Sequence, residues 1–83
     1  MASELSDFSL RLTGAVKAEL ARRDLSGVDL VVPLKLNRNA IYSRLKGERA
    51  FDTNELEAIA NFLEISMDTL LASAAVGVSA VAA

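Results

Sequence analysis

The stretch DLVVPLKLNRNAIYSRLKGERAF, residues 29–51, decides the fold. At its centre Leu36, Asn37 and Ile41 follow a simple rule: an apolar residue, a cap former, then an apolar residue four positions past the cap. The Asn37 side chain is suited to accept from the free amides of a first helical turn, and Leu36 and Ile41 are spaced to clasp across it. The helix so begun is expected over 38–46, with Gly47 as its left-handed stop. If Ile41 and Leu45 face inward, the other side shows Arg38, Asn39, Tyr42, Ser43 and Lys46.

The same rule recurs on both sides of this stretch, as Leu5-Ser6-Leu10, Leu25-Ser26-Leu30, Phe51-Asp52-Leu56 and Ile65-Ser66-Leu70. Asp52 with Glu55 has the spacing of a capping box, and Ser26 with Asp29 that of a weaker one. Helices are therefore expected over 7–23, 27–34, 38–46, 53–63 and 67–75. Their apolar stripes supply Phe8, Leu12, Val16 and Leu20 from the first, and Leu56, Ile59, Ala60 and Leu63 from the fourth. Met67, Leu70 and Leu71 come from the fifth. Only Val76-Gly77-Val78 hints at strand alternation, so the class is all-α. The expected organisation is one domain over 1–75 and a flexible or dimer-contacting tail over 76–83.

A chain of 83 residues has room for one lean core. It holds neither Cys nor His, which removes disulfides, thiolate metal sites and the commonest general base. Its carboxylates are spread over several helices, with no nucleophile–base pair or metal-ligand spacing. No catalytic residue, metal or cofactor is expected, and the chain does not read as an enzyme. The N-terminal MASELSDF is polar and acidic, unlike a secretory leader. The uncharged run 69–83 is fifteen residues, short of the roughly 20 that span a bilayer. A cytoplasmic protein of a bacterial or phage-infected cell is the expectation, with no membrane and no small-molecule ligand evident.

Net charge is −2, yet residues 35–49 carry Lys35, Arg38, Arg44, Lys46 and Arg49 against Glu48 alone, while 50–83 carry five carboxylates and no Lys or Arg. Screening over about 8–10 Å makes the local field, not the total, what a phosphate backbone feels. The expected helices 27–34 and 38–46 are separated by Lys35-Leu36-Asn37, short enough to force a helix-turn-helix crossing. Arg forks onto guanine, Asn onto adenine and Lys onto phosphate, so the segment 37–46 suits the major groove of double-stranded DNA. The DNA-contact set is Ser26, Lys35, Asn37, Arg38, Asn39, Tyr42, Ser43, Lys46 and Arg49. Two roles stay open for Tyr42: a sugar or thymine-methyl contact, or folding back over the core. Arg44 sits at the flank, where pairing with Glu55 competes with any DNA role. Thr53 and Asn54 open a helix beside this loop, a possible anion site.

Residues 29–51, followed by ELEAIANFLEISMDTLL (55–71), resemble the lambda-repressor-like helix-turn-helix family of phage repressors, Cro proteins and bacterial regulators. The resemblance spans about residues 8–71 and includes Leu30, Leu34, Leu36, Ile41 and the Gly47-Glu48-Arg49 turn. It implies a five-helix bundle that binds operator DNA as a dimer, with Arg38, Asn39, Tyr42, Ser43 and Lys46 on the recognition helix. It also implies that residues 26–28 meet a phosphate at the start of the second helix. The chain departs from the family pattern where Lys35 replaces the usual turn glycine, Val31 the usual small residue, and Pro33 sits late in the second helix. Lys35 then either takes a positive φ or the turn has another form.

The tail LLASAAVGVSAVAA exposes apolar area that monomers seldom leave open. A homodimer through Met67, Leu70, Leu71, Val76 and Val78 is the expectation, with a frayed end as its rival. The leading function is a sequence-specific transcriptional regulator, a repressor or Cro-like protein. The alternative is a helical protein-interaction module using the apolar tail and the acidic helix 53–63.

Overall fold

The computed structural model describes residues 5–82, and side chains as far as residue 74. Five helical segments follow one another: α1 (Asp7–Arg22), a 3-10 turn (Gly27–Leu30) continuing into α2 (Val31–Leu34), α3 (Arg38–Leu45), α4 (Thr53–Leu63) and α5 (Met67–Ala82). No strand occurs among the described residues.

Four of the five expected side-chain caps are made. The Ser6, Asn37, Asp52 and Ser66 side chains accept from the amides of Ser9, Ala40, Glu55 and Thr69 at 3.0, 2.8, 2.7 and 3.0 Å. At Ser26 the box runs the other way, with its N–H donating to Asp29 Oδ2 at 2.8 Å.

Helix ends follow a second rule. Asp24, Lys35 and Glu64 all adopt left-handed backbone, with φ of 60°, 57° and 61°. In each case the next residue donates its N–H five positions back: Leu25 to the Leu20 carbonyl (2.8 Å), Leu36 to Val31 (3.3 Å) and Ile65 to Ala60 (2.9 Å). This is the Schellman closure, which satisfies carbonyls that the helix leaves over. Gly47 closes α3 the same way at φ 84°, with Glu48 donating to the Ser43 carbonyl at 2.9 Å. Three connections are thus copies of one three-residue device: Asp24-Leu25-Ser26, Lys35-Leu36-Asn37 and Glu64-Ile65-Ser66. A charged residue turns the chain, an apolar residue tucks against the core, and a polar residue caps the next helix.

Lys35 therefore holds the positive φ that a glycine would take without strain. Lys35→Gly is expected to stabilise the fold by about 0.5–1 kcal/mol, raising Tm by a few degrees. Calorimetry checks this; an unchanged or lower Tm would mean that the Lys35 side chain holds the turn.

The core takes one fully buried side chain from each segment: Val16, Leu30, Ile41, Ile59 and Leu70. Leu12, Leu20, Leu45, Leu56, Leu63 and the loop residue Phe51 pack round them. Phe8 does not join. It lies on the predicted stripe of α1 but is 51% exposed, because the packed part of the stripe begins one turn later at Leu12. The second helix keeps its predicted span but opens as a 3-10 turn, and Pro33, lacking an N–H, lies in its last turn.

The fifth helix outruns its expected end, reaching Ala82 instead of residue 75. Val76-Gly77-Val78 is helical, not extended. Alanine is the best helix former and this run is rich in it, so one glycine, costing about 1 kcal/mol, does not stop the helix.

α1 and α5 lie against each other, and one buried charge is set between them. Glu19 is 4% exposed. It accepts from Arg23 (2.6 Å), from Arg22, and from the Ser73 hydroxyl of α5 (3.2 Å). Arg23 foremost, with Arg22 and Ser73, holds its carboxyl below the usual glutamate range, against the opposing effect of burial. A carboxyl depressed in the folded state stabilises at and above its unfolded pKa, and the gain drains away as pH falls through the folded value. Urea denaturation between pH 7 and pH 3 is thus expected to show wild type losing more stability than Glu19→Gln; equal losses would sink the assignment.

Candidate nucleic-acid interface

α3 stands on the core through Ile41 and Leu45. Its seat at the 3-10 turn depends on a glycine. A Cβ added to Gly27 would lie 2.7 Å from Leu45 Cδ1 and 2.8 Å from Tyr42 Cζ, so α3 packs directly on bare backbone there. Tyr42 is accordingly half-buried, its ring folded toward Gly27 and the core. The Tyr42 ring is thus packed toward the core, while part of it stays at the surface. Sequence reading missed Gly27. The available signal was a glycine just after a cap, where no turn needs one.

The flank of α3 is tied to α4. Arg44 Nε and Nη2 donate to Glu55 Oε1 and Oε2 at 2.9 and 3.1 Å, and Arg44 Nη1 donates to the Ala40 carbonyl at 2.8 Å. Glu55 Oε1 also accepts from the Asp52 N–H at 3.0 Å, completing the box that opens α4. The pair is largely shielded, at 11% and 13% side-chain exposure. Arg44 is thereby withdrawn from the exposed face. The start of α4 does not serve as an anion site, since Asp52 and Glu55 both bring carboxylates to it.

The remaining cations divide sharply. Arg11 pairs with Asp7, Arg22 and Arg23 with Glu19, and Arg44 with Glu55. Lys35, Arg38, Lys46 and Arg49 are all exposed and have no carboxylate partner among the described residues. Lys17 on α1 is the other such cation. Four unneutralised cations therefore come from a fifteen-residue segment centred on α3, in a chain of net charge −2.

The other candidates fall as follows. Asn39 is exposed in the first turn of α3. Asn37 is exposed too, but its Oδ1 is engaged as the cap, leaving its NH2. Ser43 is half-buried and donates its hydroxyl to the Ala40 carbonyl at 3.0 Å. Lys46 lies one residue past the helix end. Ser26 is exposed, but its amide is taken by Asp29, whose carboxylate would repel a phosphate.

The expected dimer surface changes more. Leu70 is 0% exposed within the single chain and presents nothing to a partner, because it is the core residue contributed by α5. Met67 is half-buried against the same core, and Leu71 is exposed. Val76 and Val78 lie outside the residues whose side chains are described. Among the described residues no helix is long and apolar enough to cross a membrane, and no group of acidic residues is placed to hold a metal. No protein-family model, curated protein or solved structure matches the chain.

Proposed function

We propose that this chain binds double-stranded DNA in a sequence-dependent way and regulates transcription by occupying its site, with α3 entering the major groove as the second helix of a helix-turn-helix. The observation that carries this is the exposed group Lys35, Arg38, Lys46 and Arg49, none of them ion-paired among the described residues where the cations on α1 are mostly paired. Arg38 and Asn39 stand at the end of α3 that reaches base edges when a recognition helix docks. Lys35, Lys46 and Arg49 suit phosphates, which fix register and supply affinity.

Binding to duplex DNA between 50 and 200 mM salt tests the reading. With about three phosphates neutralised per chain, log affinity falls with log salt at a slope of about −2.7 for one chain and twice that for two. Asn39→Ala is expected to weaken binding to a selected site about 5- to 150-fold and binding to random duplex hardly at all. An absence of retention on DNA at low salt overturns the proposal. Sedimentation decides whether two copies pair, now through Leu71 and the part of α5 beyond it.

A further inference from the structure

We infer that Ser43 is a specificity-determining residue that reads the groove as a hydrogen-bond acceptor, selecting an exocyclic amine one or two base steps from the pair met by Asn39. The inference rests on the DNA-binding reading above and refines it.

The argument starts from what each side chain of α3 has left to offer. Arg44 is committed to Glu55 and Ala40. Tyr42 is folded toward Gly27. Asn39 is exposed with both its amide oxygen and its NH2 uncommitted among the described residues, so it retains the pair of groups that fork onto adenine N6 and N7. Ser43 lies four residues on, one turn further along the same line of the helix surface. That turn advances about 6 Å, one to two steps of base stacking.

A serine hydroxyl has one proton and two lone pairs. In Ser43 the proton is directed inward to the Ala40 carbonyl at 3.0 Å. What remains for a ligand is lone-pair density, and a lone pair calls for an N–H. In the major groove the N–H donors are adenine N6 and cytosine N4, whereas purine N7, guanine O6 and thymine O4 only accept. Meeting one of those acceptors would require the hydroxyl to abandon its helix bond, a preference worth about three- to tenfold in affinity. Ser43 is half-buried, so only a close approach of the base edge reaches it, and a base-edge amine in the groove provides one.

The test begins with a duplex enriched from a random pool by the wild-type chain. Within that duplex, each adenine is replaced in turn by purine and each cytosine by pyrimidin-2-one, which removes one amine at a time. In parallel, 7-deazapurines and 2-aminopurine in place of guanine remove N7 and O6. Affinities are measured for the wild type and for Ser43→Ala, a change to the best helix former at a position that gives up only the hydroxyl. At one base pair, loss of the amine is expected to weaken the wild type about three- to tenfold and leave Ser43→Ala unaffected. Coupling of Ser43 to N7 or O6 instead, or to no position, overturns the inference while the DNA-binding reading stands. Failure to enrich any duplex removes both.

Discussion

Ile41→Ala is expected to cost about 3–4 kcal/mol, close to the whole stability of the domain at the lower end of its range. Ile41 is the fully buried residue of α3, and the one other buried residue of the segment is Leu45, with Tyr42 partly buried beside it. An alanine there leaves a cavity that neighbouring segments cannot close, since each is fixed by its own caps and turn. A domain of this length holds about 4–12 kcal/mol, so the variant retains little reserve near body temperature. The chain has one tyrosine and no tryptophan, and that tyrosine is Tyr42 on the same helix. Its fluorescence follows urea unfolding at the seat of α3 directly. A loss under about 1 kcal/mol would mean that α3 is not packed through Ile41. Ile41→Val, which removes a single methylene, is expected to cost about 1 kcal/mol and serves as the graded control.

Glu55→Ala is expected to cost about 2–3 kcal/mol, more than an ordinary surface ion pair. The residue acts twice: it completes the box at the head of α4 and neutralises a shielded guanidinium on α3. Losing the cap removes about 1 kcal/mol, and leaving Arg44 without its partner supplies the rest. Glu55→Gln keeps the capping geometry but not the charge, so it is expected to fall between wild type and Glu55→Ala. A double-mutant cycle with Arg44→Ala isolates the pair, with a coupling of about 1–2 kcal/mol. Additive losses would mean that the two side chains do not communicate.

These two residues show how much of the molecule was legible beforehand. Ile41 was visible because burial and capping leave periodic marks, and five caps in one register located every helix start. Arg44 and Glu55 could be paired in advance because the cation lay on the flank of one helix and the acid in the first turn of the next. Phe8 and Leu70 escaped for a related reason. A stripe says which way a side chain faces, but not where along the helix the neighbouring chain begins or which subunit covers it. Gly27 was silent because its role is long-range, and so was the burial of Glu19 against α5, although its pairing with Arg22 and Arg23 is local. Nothing local tells a glycine beneath a tyrosine ring, or a glutamate facing a serine 54 positions away, from its surface counterparts. The end of α5 at Ala82 carries no local mark, because uncharged alanine-rich sequence has neither a cap nor a turn residue to fix it.

The repeated three-residue turns bear on how fast this chain folds. Each helix receives both its stop and its successor's start within a few neighbouring residues, so most of the architecture is specified over short loops with little closure entropy. Domains dominated by such neighbours fold in microseconds to milliseconds. The docking of α1 on α5, which brings Glu19 to Ser73 across 54 residues, is the longest excursion among the described residues. The barrier therefore belongs at that seam: substitutions along it should slow refolding, and changes at the caps should chiefly alter the rate of unfolding.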